Sequence, residues 1–138
     1  MTRDDVRVHM PSELQPPSAP LNILCLEDNP LIVMHLEQMI EDLGHVCVGI
    51  LESFADLQDR REKTVFDCAL VDIDLADGRT GPDAAAWLFE RGIPTLFVTG
   101  QERIADDHRH LVADIITKPV STTALRAALD KIAVARRL

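Results

Sequence analysis

The sequence has no long hydrophobic run, few basic residues and little cysteine. Its longest uninterrupted apolar run covers six residues, 84–89, whereas a membrane-spanning helix needs about twenty. Lysine and arginine total 14 against 23 aspartates and glutamates, which gives a net charge of −9. Because neutralising nucleic-acid phosphates requires clustered basic side chains, this balance argues against nucleic-acid binding. We therefore expect neither a membrane nor a nucleic acid among the partners.

The three cysteines, Cys25, Cys47 and Cys68, each lie within an apolar stretch. An odd number without C-x-x-C spacing predicts reduced thiols in the core rather than a disulfide framework or a metal site. The N-terminus also lacks the basic-then-apolar pattern of a signal peptide, so a cytoplasmic location is expected. At 138 residues, the chain fits one domain, because single cores usually span about 100–200 residues.

Residues 1–20 differ in composition from the rest of the chain. They contain four of the eight prolines and show little apolar periodicity, which is typical of a flexible arm. The predicted organisation is therefore a proline-rich N-terminal arm over residues 1–20, followed by one folded domain over residues 21–138.

From Leu21 onward, short apolar runs alternate with segments of helical periodicity. The apolar runs predict five strands, at residues 22–26, 46–51, 67–72, 94–98 and 113–117. Helices are predicted to begin after Asn29, at Ser53 (through about Glu62), at Pro82 and after Ser121, whereas residues 101–110 are only weakly helical. Buried strands between helices are typical of a parallel sheet covered on both faces. The fold class is thus α/β, a doubly wound five-stranded sheet with the flavodoxin-like order 2-1-3-4-5.

Polar side chains follow four of these strands at their predicted carboxyl ends. They are Glu27 and Asp28 after the first strand, Asp72 after the third, Thr99 after the fourth and Lys118 after the fifth. Ligands of doubly wound sheets bind beyond the carboxyl ends of the strands, near the point where strand order reverses. We therefore expect three carboxylates, a hydroxyl and an amine to meet at one edge.

This set of groups suits phosphoryl transfer to a carboxylate. Clustered carboxylates repel one another and favour a hard divalent cation such as Mg²⁺. Asp72, in the centre of the sheet, can attack phosphorus as a nucleophile. Thr99 and Lys118 can contact the phosphoryl oxygens, the lysine as a point charge.

Four segments resemble, in order, the signatures of two-component response-regulator receiver domains. They are ILCLEDNP (23–30), ALVDIDL (69–75), TLFVTG (95–100) and IITKPV (115–120). The resemblance extends from about residue 21 to residue 138. It implies a stand-alone receiver that takes a phosphoryl group from a sensor histidine kinase or a histidine phosphotransfer protein and signals to a downstream protein. It also implies self-directed chemistry rather than enzymatic turnover, and a homodimer through the last two helices and the fifth strand.

The resemblance further assigns roles to individual residues. Asp72 is similar to the phosphoacceptor, and Thr99 and Lys118 are similar to the phosphoryl-binding hydroxyl and amine. Mg²⁺, or Mn²⁺ in its place, would be held by Glu27, Asp28, Asp72 and the backbone carbonyl of Asp74. Asp74 and Gln101 occupy the positions that tune the lifetime of the phosphoryl group in this family.

Two departures from the family pattern concern the switch and the loop after the phosphoacceptor. Ile115 lies three residues before the lysine, where the family usually has Tyr or Phe. This puts the aromatic half of the switch in doubt. The loop after Asp72 reads Leu75-Ala76 where Met-Pro is common, and it is about one residue longer before Gly81.

Two other classes of protein compete with the receiver interpretation. The Asp72-Ile73-Asp74 sequence also fits the nucleophile motif of small haloacid-dehalogenase-type phosphatases. In that family, however, this motif lies on the first strand, and a cap domain is usual. A flavodoxin-like cofactor binder is disfavoured, because the first loop lacks a glycine- or serine-rich phosphate cradle.

Overall fold

The computed structural model describes residues 19–60 and 65–136. Within these ranges five parallel strands form one sheet: β1 (Asn22–Leu26), β2 (Val46–Leu51), β3 (Cys68–Val71), β4 (Thr95–Thr99) and β5 (Asp114–Thr117). Their order is β2-β1-β3-β4-β5, and each neighbouring pair is parallel. The predicted doubly wound α/β fold with strand order 2-1-3-4-5 is confirmed.

Helices alternate with the strands along the described part of the chain. They are α1 (Pro30–Asp42), α2 (Phe54–Arg60), α3 (Gly81–Glu90), α4 (Glu102–Asp107) and α5 (Thr122–Arg136), with a 3₁₀ turn at Arg109–Leu111 before β5. None of these helices is long and apolar enough to cross a membrane. The predicted arm lies almost wholly outside the described residues, as does Glu62, the predicted end of the second helix.

Local capping explains where the helices begin and end. The Asn29 side chain accepts a hydrogen bond from the backbone N–H of Leu31 at 3.0 Å, and Pro30 occupies the first helical position of α1. Gly44 follows the helix with a φ of 86°, a left-handed conformation that glycine adopts without steric cost. At the other end of the chain, the Ser121 hydroxyl accepts from the N–H of Ala124 at 3.1 Å. These predicted helix boundaries are confirmed.

Other boundaries differ slightly from the prediction. β3 is shorter than residues 67–72, because Asp67 and Asp72 lie just outside the ladder at its two ends. The weakly helical segment forms a six-residue α4, in which Ala105 is the buried residue. So little apolar surface on one helix gives a weak periodic signal.

The two faces of the sheet carry separate apolar layers. Along β1, Ile23 and Cys25 pack toward α1 and α5, while Leu24 and Leu26 pack toward α2 and α3. This alternation follows from the two-residue period of a strand. All three thiols are free; Cys25 and Cys68 are buried in the core as predicted, whereas Cys47 is only half-buried and packs against it.

Candidate functional site

The carboxyl ends of β1, β3, β4 and β5 bring four predicted site residues to one edge of the sheet. Glu27, Asp72 and Thr99 are buried there, with 2 %, 8 % and 0 % of their surface exposed. The interiors of these strands are apolar, so polar groups concentrate where the strands end. Burying charge without partners is costly, and the contacts of these side chains explain how it is tolerated.

Lys118 joins the ends of three strands. Its Nζ donates to Oε1 of Glu27 at 2.7 Å and to Oδ2 of Asp72 at 2.9 Å. Its peptide bond to Pro119 is cis. The amine and two of the predicted carboxylates are therefore in direct contact, although Lys118 lies 91 and 46 residues away from them in sequence.

Burial and pairing affect the ionisation of this group unequally. Burial raises the pKa of Glu27, and the nearby charge of Asp72 adds to this rise, while the hydrogen bond from Lys118 opposes it. Burial lowers the pKa of Lys118, but its hydrogen bonds to Glu27 and Asp72 outweigh that effect and leave the pKa raised. The lysine therefore remains an ammonium at neutral pH, since two carboxylates share one cation.

The oxygens of the two buried carboxylates have further donors. Oε2 of Glu27 accepts from the backbone N–H of Asn29 at 3.1 Å, and Oδ1 of Asp72 accepts from the N–H of Ile73 at 2.7 Å. These local bonds fix the orientation of both side chains. Asp28 is exposed beside them, where it faces solvent at the start of the loop to α1.

Thr99 is connected to Lys118 through the sheet. The carbonyl of Thr99 accepts from the backbone N–H of Lys118 at 3.0 Å. Its hydroxyl oxygen accepts from the N–H of Gln101 at 2.9 Å. A hydroxyl that accepts a hydrogen bond can also donate one, so the hydrogen of Thr99 can point toward a ligand oxygen at this edge.

The loop after Asp72 is shaped by two glycines. A Cβ at Gly81 would overlap the carbonyl oxygen of Asp72, and the Gly81 N–H donates to the carbonyl of Ile73 at 2.9 Å. Gly78 has a φ of 106° and forms an isolated bridge with Leu75. Glycine is therefore needed at both positions, and together they determine how the loop folds back beside Asp72.

The side chain of Asp74 turns toward partners that sequence reasoning did not identify. Its Oδ1 accepts from Nε of Arg79 at 2.9 Å and its Oδ2 accepts from Nε2 of Gln101 at 3.0 Å. The hydrogen bond from Arg79 lowers the pKa of Asp74. A basic residue five positions after Asp74, in a loop, was the available sequence signal for this pair.

Asp77 was also missed, and it connects the same loop to α2. Its carboxylate accepts from the N–H groups of Phe54 and Ala55, at 3.2 and 3.1 Å, and from the hydroxyl of Thr80 at 2.6 Å. It thereby adds to the cap of a helix that begins 23 residues earlier in the chain. The bond from Thr80 lowers the pKa of Asp77.

The predicted metal ligands lie on the same edge but do not form a ready-made cage. Across residues 19–60 and 65–136, no three His, Cys, Asp or Glu side chains are grouped so that they could hold a metal ion. The Lys118 ammonium bonds to one oxygen of Glu27 and one oxygen of Asp72, so these two oxygens are already paired with a cation. The oxygen donors at this edge nevertheless suit a hard cation, which typically binds one or two carboxylates and completes its shell with water and phosphate oxygens.

Ile115 occupies the position where the receiver family usually has an aromatic residue. It is half-buried in β5 and packs against the apolar layer on the α2 and α3 side of the sheet. As a β-branched residue it has restricted freedom at χ1. The described structure therefore has no rotating ring at this position.

Comparisons with known proteins agree on one family. The family model for the response regulator receiver domain matches residues 23–130. The phyllosphere-induced regulator PhyR of Methylorubrum extorquens is 34% identical over 112 residues, a match covering 79% of this chain and 42% of that protein. This chain thus spans less than half the length of that relative.

Solved structures give the same result. The receiver domain of Erythrobacter litoralis PhyR is 31% identical, with a TM-score of 0.73 over 83% of this chain and 91% of that one. SdrG from Sphingomonas melonis Fr1 is 33% identical, with a TM-score of 0.70 over 84% and 98%. Nothing in these comparisons supports the haloacid-dehalogenase alternative. Receiver domains are the phosphorelay modules of two-component signalling, and this chain belongs to the response-regulator receiver family.

Proposed function

We propose that this chain accepts a phosphoryl group on Asp72 from the phosphohistidine of a sensor histidine kinase or a histidine phosphotransfer protein. One observation carries the proposal: Asp72 directly follows the central strand, and its carboxylate is held by Lys118 at 2.9 Å. In the transfer, an oxygen of Asp72 bonds to phosphorus while the bond between phosphorus and the histidine nitrogen breaks. The electron pair stays on that nitrogen, which takes a proton from solvent.

Lys118 and Thr99 then bind the new group. The side chain of Lys118 is 19% exposed and its ammonium sits on a flexible stem, so it can exchange a carboxylate oxygen for a phosphoryl oxygen. The hydroxyl of Thr99 can donate a hydrogen bond to another phosphoryl oxygen. The new contacts of Lys118 and Thr99 form at the ends of β5 and β4. The phosphorylated protein therefore presents an altered surface there to a downstream protein.

Mg²⁺, or Mn²⁺ in its place, is the cofactor that the donor set at this edge fits. Glu27, Asp28 and Asp72 would supply carboxylate oxygens and Asp74 its backbone carbonyl. When bound, the cation offsets charge on the incoming phosphoryl group. Without it, that group would face several carboxylates within a few ångströms, each repulsion costing about 1–4 kcal/mol.

The chemistry in this proposal is self-directed. The phosphoryl group enters and leaves on Asp72 alone, so the protein does not turn over an independent substrate. A homodimer through α4, β5 and α5 is part of the same proposal, because changes at the ends of β4 and β5 would reach that surface.

The proposal is tested by labelling the full chain with acetyl phosphate and Mg²⁺. We expect one phosphoryl group per chain by intact mass spectrometry, and borohydride reduction followed by peptide mapping should locate it at Asp72. A trapped product at Asp28 or Asp74, with Asp72 unmodified, would overturn the assignment.

Two parallel reactions test the cofactor and the competing activity. An excess of chelator should prevent labelling, and robust labelling under chelation would exclude the metal assignment. Incubation with a generic phosphate ester should release no phosphate beyond background. Multiple turnovers of the ester would instead support a phosphatase.

A further inference from the structure

We propose that Arg79 is a positioning residue that neutralises Asp74 at the mouth of the site and so favours phosphoryl uptake from anionic donors. The inference rests on the proposed phosphorylation of Asp72. It concerns a residue that lies outside the carboxylate, hydroxyl and amine set.

The contacts of Asp74 carry the first step. Both of its carboxylate oxygens have donors, Arg79 Nε at 2.9 Å on one side and Gln101 Nε2 at 3.0 Å on the other. Gln101 is itself tied to the site, since its backbone N–H bonds to the hydroxyl oxygen of Thr99. The carboxylate of Asp74 is therefore held in a bridge between the loops that follow β3 and β4, with both of its side-chain oxygens engaged.

The charge balance of the site carries the second step. Glu27, Asp28 and Asp72 contribute three carboxylates, and Lys118 is the cation that contacts two of them. Asp74 would add a fourth negative charge two residues after the phosphoacceptor. Because Asp74 is paired with Arg79, the two side chains together add no net charge. Since acetyl phosphate and phosphohistidine are both anionic, the approach of either donor is opposed by any uncompensated carboxylate at this mouth.

The exposure of the pair sets the size of the effect and offers a way to isolate it. The side chains of Arg79 and Asp74 are 55% and 46% exposed, so their influence is screened by salt. The screening length is about 30 Å at 0.01 M ionic strength and about 3 Å at 1 M. A charge effect therefore disappears at high salt, whereas a purely structural role of Arg79 would persist.

The decisive measurement is the initial rate of Asp72 labelling by acetyl phosphate at saturating Mg²⁺, in the full chain. In this reaction an Asp72 oxygen bonds to phosphorus, the bond from phosphorus to the acetyl oxygen breaks, and acetate leaves with the electron pair. We expect Arg79→Gln to be labelled about two- to fivefold more slowly at about 0.01 M ionic strength. At about 1 M the difference should vanish, and Arg79→Lys should stay near the wild-type rate at both.

Two controls identify the cause. Adding Asp74→Asn to Arg79→Gln should restore most of the lost labelling rate, because removing the uncompensated carboxylate returns the net charge of the pair to zero. Arg109→Gln removes the same charge from an exposed pair of matching geometry, with Nε of Arg109 2.8 Å from Oδ1 of Asp106. That pair lies at the opposite edge of the sheet, just before β5, and its loss should leave the labelling rate unchanged.

Calorimetric titration with Mg²⁺ gives a readout that does not need phosphorylation. We expect Arg79→Gln to bind Mg²⁺ about two- to fivefold more tightly at low salt, because the uncompensated carboxylate attracts the cation. Wild-type labelling combined with an unchanged or salt-independent Arg79→Gln rate would overturn the inference. Failure of the wild type to be labelled would instead overturn the proposed function, and unchanged Mg²⁺ affinity in that case would overturn the role of Arg79 as well.

Discussion

Two aspartates flank β3, and they illustrate how one residue type serves two purposes on one strand. Asp67 precedes the strand, where its Oδ2 accepts from the backbone N–H of Asn22 at 2.7 Å and its Oδ1 pairs with Arg136 at 2.9 Å. Asp72 follows the strand and is held by Lys118 and by its neighbour Ile73. Both carboxylates are largely buried and both have donors.

The difference lies in whether the partners can move. The main partner of Asp67 is an N–H of β1, which cannot leave without disturbing the sheet. The main partner of Asp72 is the end of a flexible lysine side chain, which can bind another oxygen instead. A carboxylate with a movable partner can take part in chemistry, whereas one bound to the backbone serves mainly to hold strands together.

The largest expected effect comes from Asp72→Asn. This change keeps the size of the side chain but removes the nucleophile, so we expect labelling by acetyl phosphate to be lost while the fold survives. Intact mass spectrometry measures the first and circular dichroism the second. Labelling of this variant at near the wild-type level would show that Asp72 is not the reactive carboxylate of the two.

Asp67→Ala should have the opposite profile. It leaves the N–H of Asn22 without its acceptor and breaks the pair with Arg136, which we expect to lower the free energy of unfolding by about 1.5–3 kcal/mol. Urea denaturation measures this loss. The labelling rate of the folded protein should stay within about twofold of wild type, since a loss of this size leaves the site assembled. A free energy of unfolding equal to that of the wild type would mean that Asp67 does not serve to hold the strands together.

Asp77→Ala sharpens the comparison, because Asp77 is a third aspartate on the same edge as Asp72 but bonds to backbone as Asp67 does. Asp77→Ala removes the acceptor of two N–H groups in the first turn of α2 but leaves the Ser53 hydroxyl, which accepts from the N–H of Asp56 at 3.0 Å, and it should cost about 0.5–2 kcal/mol of stability. Faster hydrogen exchange at the amides of Phe54 and Ala55 would localise the loss. If labelling by acetyl phosphate fell sharply instead, the position of an aspartate near Asp72 would decide its role in the chemistry, rather than whether its partners are backbone or side-chain groups.

The smallest effect is expected from removing the arm, in a chain that starts at Pro20. All the proposed site residues lie between Glu27 and Lys118, and the arm joins the domain at the edge where Asp67 lies. We therefore predict labelling within about twofold of the full chain, because none of the groups that contact the phosphoryl oxygens is lost. Loss of folding or of uptake would show that the arm packs on the domain or on a second copy.

Much of the fold could be predicted because its determinants are local or follow from strand direction. Asn29, Pro30 and Gly44 delimit α1 by capping alone. Glu27, Asp72 and Lys118 could be placed together because parallel strands end at one edge, whatever their separation in sequence.

The contacts that were missed depend on loop shape. The bond between Gln101 and Asp74 spans 27 residues, and that between Asp77 and Phe54 spans 23. Neither follows from periodicity, because the path of the loop is set by the backbone at Gly78 and Gly81. The charge on Arg79 was visible, but its partner could be any of several nearby acids until the loop was folded.

The hydrogen bond from the Lys118 N–H to the Thr99 carbonyl has a mechanical consequence. The two residues proposed to bind the phosphoryl group are joined through their backbones by one hydrogen bond of the ladder between β4 and β5, so their Cα positions are linked while their side chains rotate independently. A backbone shift at one of these strand ends must either carry the other with it or break this hydrogen bond. If Asp72 is phosphorylated as proposed, this bond offers a backbone route from the site to the surface that does not depend on an aromatic ring at the position of Ile115.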